Sequence, residues 1–378
     1  MKLIHLSDLH LGKKVNGFSM LEDQKYILQE ISEIINSEKI EAVLISGDIY
    51  DKSVPQGEAV ELFDSFLSGI FESSRKVFII SGNHDSAERI AFGSKIMAAG
   101  NFYVSPVYRG NIEKISLNDD YGVINFYLMP FLKPAYVRQY FPETDILSAN
   151  DAVKTVIGNI QPDYGERNVI LAHQFVAGAD ISESEEAYVG GTDIVDGGIF
   201  DGFDYVALGH IHRAQSVGRN TVRYCGSPVK YSFSEASHIK SVTVADIKEK
   251  GNVEVYTIPL NPLRDMVEIK GTYIQITAKD FYERLHTDDY MHITLTDEED
   301  VPDAMGKLRL FYPNIMRLDY ENTRTGHNNE IGYTGEAEHK SGLMLLEELF
   351  ELQNNKAMTE EQRKLAEDIF LSIEEDKE

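Results

Sequence analysis

The chain has 378 residues, 42% hydrophobic and 26% charged, which excludes a disordered chain and leaves room for two or three domains. Its net charge of −26 excludes a protein that coats nucleic acid or anionic membrane by bulk attraction, but not an enzyme whose phosphate contact is local and made through metal ions. The single Cys225 excludes a disulfide framework and any cysteine-rich zinc site.

The first 260 residues predict alternating strands and helices. Apolar runs at Leu3–Leu6, Ala42–Ile45, Val77–Ile80, Val123–Met129, Val169–Ala172 and Tyr205–Leu208 have the length and Val/Ile content of strands buried on both faces. Between the first two, Leu21, Ile27, Leu28, Ile31, Ile34 and Ile35 fall at helical spacing, and Gly57–Phe71 reads as a second amphipathic helix. Runs at Thr221–Cys225, Ser241–Ile247 and Val253–Ile258 then predict strands alone, giving an α/β sandwich of mixed sheets. A small α/β cap is expected over 263–322, built from strands at Val267–Thr277, Met291–Thr296 and Ile315–Tyr320 and a helix at Pro302–Phe311. A polar linker over 323–340 precedes a helical tail over 341–378, where Thr359 and Gln362 form a capping box. That tail buries too little apolar surface to fold alone, so it needs a partner or the protein's own body to pack on. No run of about 18 apolar residues occurs. His5, Asp8 and His10 interrupt the layout a signal peptide needs, so the expected location is cytoplasmic.

The chemistry lies where five of these runs end. They lead into Asp8-Leu9-His10, Gly47-Asp48 with Asp51 three residues on, Gly82-Asn83-His84-Asp85, His173, and Gly209-His210-Ile211-His212. Ligands of open α/β sheets bind outside the carboxyl ends of the strands, so five strands deliver Asp, His and Asn side chains to one edge. A lone strand-end histidine is usually a hydrogen-bonded core or loop residue; five motifs in order are not. Carboxylate, imidazole and amide oxygen without thiolate suit borderline-hard divalent ions.

Together these motifs resemble those of the calcineurin-like metallophosphoesterases. Supporting segments include His173-Gln174-Phe175, Gly190-Gly191-Thr192, Asp204–His210 and Tyr224-Cys225-Gly226-Ser227-Pro228. They resemble the nuclease members of that family, strongly over about residues 1–270 and only in position and type beyond. The resemblance implies a two-sheet sandwich flanked by helices over 1–262, with one metal on Asp8, His10, Asp48 and His212. The second would take Asp48, Asn83, His173 and His210, with Asp48 bridging. The ions expected are two Mn2+, with Mg2+ as the alternative. His84 is expected as the catalytic, non-ligand histidine, with Asp51 orienting it through its carboxylate; a plain loop carboxylate is the other reading of Asp51.

The implied activity is hydrolysis of DNA phosphodiesters by a metal-activated water, as an exonuclease on duplex ends and an endonuclease on single strands or hairpins, in DNA repair, recombination and replication. The implied partners are DNA, a coiled-coil ATPase that receives the tail, and a second copy, in a homodimer within a heterotetramer. Ala59–Phe71 and Ala87–Met97 are the candidate dimer helices, unless both merely cover the sheet. The alternative is a metallophosphoesterase for small phosphate esters, cyclic nucleotides or phosphoproteins, which the same motifs would serve. Lys13 and Lys14 read as phosphate contacts or a solvated loop, Arg213 and Gln215 as candidate substrate contacts, and Asp180–Glu186 as a solvated acidic loop. His5 reads as core or as a group supporting the site from behind, and His238, His286, His292, His327 and His339 as surface residues.

Overall fold

A computed structural model describes residues 1–71, 75–185, 193–322, 342–354 and 357–375. Its contacts divide the chain into Met1–Met266 and Val267–Glu378.

The first unit is a sandwich of two six-stranded mixed sheets. One contains β1 (Lys2–Leu6), β2 (Ala42–Ser46), β3 (Lys76–Ile80) and β4 (Phe102–Val104). The other contains β5 (Glu113–Asp119), β6 (Gly122–Met129), β7 (Arg167–His173), β8 (Tyr205–Gly209), β9 (Gln215–Val217) and β10 (Arg219–Tyr224). β11 (Ser241–Ile247) and β12 (Val253–Pro259) return to the first sheet, whose order is β12-β11-β1-β2-β3-β4. The second runs β9-β10-β8-β7-β6-β5.

β1, β2, β3 and β4 are parallel, as are β6, β7, β8 and β10, so each sheet directs a set of strand ends to one side. The inner faces form a core with Leu3, Leu44, Phe78, Phe126, Leu171, Ala207 and Ala245, where the Phe78 and Phe126 rings stack 4.1 Å apart. Burial of each such Leu or Phe contributes about 1.5–3 kcal/mol. Helix α1 (Leu21–Ser37) buries Ile27, Leu28, Ile31 and Ile35, one stripe at helical spacing, and packs beside α2 (Gly57–Phe71). α3 (Ala149–Ile160) lays Ala152, Val153 and Val156 against the outer face of the second sheet.

In the second unit the strand expected over Val267–Thr277 stops early. β13 (Met266–Gly271) ends where Thr272 caps a helical turn, its Oγ1 accepting from Gln275 N–H at 3.3 Å while Gln275 Oε1 accepts from Thr272 N–H at 3.0 Å. β14 (Tyr290–Leu295), α4 (Ala304–Leu308) and β15 (Ile315–Tyr320) complete a three-stranded sheet with a crossover helix. α4 is shorter than expected because Asp303, at φ 50°, stands in left-handed backbone before it. Ile269, Ile276, Met291, Ile293, Leu308 and Tyr312 form its core. The helix expected over Ala87–Met97 is two short turns divided at Gly93, which has φ 75°.

The tail forms α5 (Gly342–Asn354) and α6 (Glu360–Glu375), with Thr359 and Gln362 bonded reciprocally at 3.0 and 3.3 Å. The linker expected over 323–340 lies outside the described residues, as do Gly190-Gly191-Thr192, Glu186, His327 and His339. Among the described residues no helix is long and apolar enough to cross a membrane.

Candidate metal centre

Five strands deliver the chemistry. β1 leads to Asp8 and His10, β2 to Asp48, β3 to Asn83 and His84, β7 ends on His173, and β8 leads to His210 and His212. The first sheet therefore supplies the carboxylates and the amide, and the second supplies three imidazoles. The sheets are tied at this edge: Ser46 Oγ donates to the Ala207 carbonyl at 3.0 Å, and His173 Nδ1 lies 2.7 Å from the Ser46 carbonyl.

The backbone here is strained. Asp8, His10, Asp48 and His210 have φ of 53°, 42°, 50° and 102°, conformations that cost non-glycine residues about 1–3 kcal/mol each. Close approach makes glycine obligatory beside them. A Cβ on Gly209 would lie 2.0 Å from the Ser46 carbonyl oxygen, and one on Gly82 2.1 Å from Asp48 Oδ1.

Asp8, His10, Asp48, His173 and His212 are buried, whereas Asn83, His84 and His210 are half-buried and open the cluster to one side. His173 Nε2 lies 2.9 Å from Asn83 Oδ1 and 3.3 Å from Asp48 Oδ2. His210 Nδ1 is 3.1 Å from Asn83 Oδ1, and His10 Nε2 is 3.1 Å from His212 Nε2 and 3.7 Å from Asp48 Oδ2. Single donor atoms of Asp8, His10 and His212 lie within 4.8 Å of one another, as do those of Asp8, Asp48 and His173. Those of His10, Asp48 and His84 do so too, so the histidine expected to be no ligand stands within the same reach.

The donor set fits divalent cations. The Ser46 carbonyl can only accept, so His173 carries its proton on Nδ1 and turns Nε2 to two oxygens, neither of which has a proton to give. Positive charge belongs between them, from a proton or a metal ion. Burial opposes the charge on His173, yet Asp48 alongside holds it above the usual imidazole range. Burial pushes the Asp8 carboxyl up to about 6 and the His210 imidazole down to about 3.

His84 stands beside this cluster, its main-chain N–H on Asp48 Oδ1 at 2.9 Å. The expected carboxylate–imidazole pair with Asp51 is not formed. His84 Nδ1 lies 3.0 Å from the Asp51 main-chain carbonyl, and the Asp51 carboxylate takes Lys13 Nζ at 2.8 Å. Asp51 thus holds His84 through the backbone, because the lysine claims its side chain. Lys13 is accordingly no free loop cation, while Lys14 is exposed.

The acidic run is also more than a solvated loop. Asp180 pairs with Arg213 at 3.0 Å and its N–H and carbonyl engage Gln215, but Glu185 accepts the His212 main-chain N–H at 2.6 Å and Ser184 Oγ meets His212 Nδ1 at 2.9 Å. Two further supports went unread in the sequence. Asp85, the last residue of the Gly82-Asn83-His84-Asp85 motif, accepts the N–H groups of Ile49, Tyr50 and Gly82 and so joins two motif loops. Gln24 reaches from α1 to the Leu9 and His10 carbonyls, and no local signal marked it. His5 is core, bonded to Tyr205 at 3.0 Å; His238 is half-buried with an enclosed Nδ1, His286 is exposed, and His292 bridges Glu268 and Asp319.

Residues 1–214 match the calcineurin-like phosphoesterase family, and residues 262–354 match the type 5 capsule protein repressor C-terminal domain. The chain is similar to the SbcD subunit of the SbcCD nuclease of Staphylococcus epidermidis, at 34% identity over 84% of this chain and 85% of that one. The crystal structure of a dimetal phosphatase from Danio rerio aligns with 69% of this chain and 99% of its own, at 12% identity and a TM-score of 0.40. Strand-end motifs and converging donors agree with the family match over residues 1–214 and the SbcD match: the chain belongs to the calcineurin-like phosphoesterase family, in the branch that holds the SbcD nuclease.

Proposed function

We propose that this protein is the metal-dependent nuclease subunit of an SbcCD-type complex, cutting duplex DNA from its ends and single strands or hairpins internally. The observation that carries the reading is the convergence of seven donor residues with His84 beside them, in a chain 34% identical to such a subunit. Asp8, His10, Asp48 and His212 would hold one divalent cation, and Asp48, Asn83, His173 and His210 the other, with Mn2+ as the proposed ion. Once bound, such ions supply Lewis acidity toward a phosphodiester and bring the pKa of water to about 7.

The protein's own residues do the rest. Asp48 stands between the two halves, its Oδ1 held by the main chain at 84 and its Oδ2 facing His173. His84 commits Nδ1–H to the Asp51 carbonyl, which leaves Nε2 as the ring atom that would pass a proton to the departing oxygen. Asp51→Asn keeps that carbonyl and removes only the Lys13 ion pair. Its DNA cleavage should stay within about fivefold of wild type, the equivalent of roughly 1 kcal/mol for a partly exposed pair. A hundredfold loss would restore the carboxylate to the mechanism.

The remaining assignments belong to the same proposal: a nuclease domain over 1–262, a cap over 263–322, a linker over 323–340 and a partner-binding segment over 341–378, in a cytoplasmic protein. Leu345, Leu349, Leu365 and Ile369 on the tail helices are exposed, which suits docking on the coiled-coil base of an SbcC-type ATPase. Phe92 and Ile96 are 85% and 83% exposed, and Phe71 and Val60 of α2 are half-exposed, which supports a homodimer through these segments inside the heterotetramer. The charge of −26 supports a partner that supplies much of the grip on DNA.

The test is a cleavage assay in Mn2+ on circular single-stranded DNA and hairpin-ended duplex, with para-nitrophenyl phosphate and cyclic nucleotides as controls and light scattering for the dimer. DNA cleavage with little small-ester turnover is expected. Fast small-ester turnover without DNA cleavage, alone and with the ATPase added, would replace the nuclease by a small-ester phosphoesterase.

A further inference from the structure

Glu235 lies 23 residues beyond His212 and inside none of the motifs, yet it is fully buried beside that ring. Its Oε2 takes the buried Lys240 ammonium at 2.5 Å, and the same ammonium donates to the His212 carbonyl at 2.9 Å and to Ser227 Oγ at 2.8 Å. Its Oε1 takes the Ser184 hydroxyl at 2.5 Å and lies 3.4 Å from His212 Nδ1. Ser184 has one proton and gives it to the carboxylate, so its oxygen accepts from His212 Nδ1–H at 2.9 Å. The chain of donors fixes the tautomer: Nδ1 carries the proton and Nε2 presents a lone pair to His10 and the cluster.

The other rings are held differently. His173 is fixed by the Ser46 main-chain carbonyl, which no side-chain substitution removes. His10 Nδ1 is buried without a hydrogen-bond partner among the described residues, so no group behind the ring holds it. The half formed by Asp8, His10 and His212 thus has one ring locked by hydrogen bonding, and Glu235 is the anchor of that lock.

We propose that Glu235, acting through Ser184 and clamped by Lys240, is the positioning residue for the Asp8–His10–His212 half of the centre, and that the Asn83–His173–His210 half is independent of it. The proposal rests on the two-metal reading above. Glu235→Gln alone leaves Lys240 buried and unpaired, which is strongly destabilising. The test therefore uses E235Q/K240M, which removes both charges, and Ser184→Ala, which cuts the link and spares the ion pair. Mn2+ stoichiometry is read by equilibrium dialysis, pairing of the ions by their spin-coupled paramagnetic resonance signal, and folding by thermal unfolding of the metal-free proteins.

Wild type should bind two Mn2+ with a coupled signal. E235Q/K240M should keep one ion at wild-type affinity, bind the second about 10–100-fold more weakly and lose the coupled signal, with Ser184→Ala moving the same way. Two ions at wild-type affinity in the folded double variant, or equal loss of both, would overturn the assignment. A wild type that binds no Mn2+ would instead strike down the two-metal reading itself.

Discussion

His84→Ala should retain the Mn2+ content of the wild type and cleave DNA about 10²–10⁴-fold more slowly, the range a positioned proton donor contributes. The main-chain N–H at position 84, which holds Asp48 Oδ1 at 2.9 Å, survives the substitution, so the Asp48 carboxylate keeps its place. Only the imidazole is lost, together with its bond to the Asp51 carbonyl. Metal analysis and a gel assay on the same preparation check both halves of the expectation. Metal loss matching the rate loss would make His84 a ligand, a role its reach toward His10 and Asp48 permits. Undiminished cleavage would remove it from the chemistry.

Gly209→Ala should be among the most damaging changes of a single methyl group among the described residues. The added Cβ would stand 2.0 Å from the Ser46 carbonyl oxygen and 2.7 Å from His173 Nδ1. No side-chain rotation relieves a clash with a main-chain oxygen in a central parallel strand, so β8 must move away from β2. Overpacking of a well-filled interior costs about 1–3 kcal/mol, and here the displaced groups are also those that orient His173. Expected results are a melting temperature several degrees below wild type and loss of Mn2+ binding, read by calorimetry and dialysis. A variant with wild-type melting and two bound ions would mean that the sheets separate easily at this edge, contrary to the close packing of their core.

The strands that carry the site were legible because strands buried on both faces are continuous Val, Ile and Leu runs with the motif residues directly at their ends, as at Val43-Leu44-Ile45 before Asp48. Polar elements were not. β5 (Glu-Lys-Ile-Ser-Leu-Asn-Asp) is an edge strand whose inward apolar residues are Ile115 and Leu117, too weak a pattern to stand out, and α3 lies between β6 and β7 without a run as marked as theirs. The strand expected across Thr272 failed because its capping pair outweighs the β-branched residues around it. Within the site, the positions of motif residues followed from strand order, but their partners did not. The Asp51 carboxylate turns to Lys13 because two loops meet in space. Ser184, Glu235 and Lys240 reach His212 from separate stretches that share no spacing rule. Sequence pattern reports what lies on one element; the layer of groups behind the donors is assembled from several.

The division of donors between the two sheets also decides when, during synthesis, the site comes into being. A ribosome releases the residues in order, and the first sheet alone brings Asp8, His10, Asp48 and Asn83 without the three imidazoles that face them. His212 must emerge before the donor set is complete, and β1 finds its antiparallel neighbour only when Ser241–Ile247 has followed. A nascent chain therefore carries no finished hydrolytic centre until the residues through Ile247 have been made, by which point the sandwich that confines the centre is closing around it.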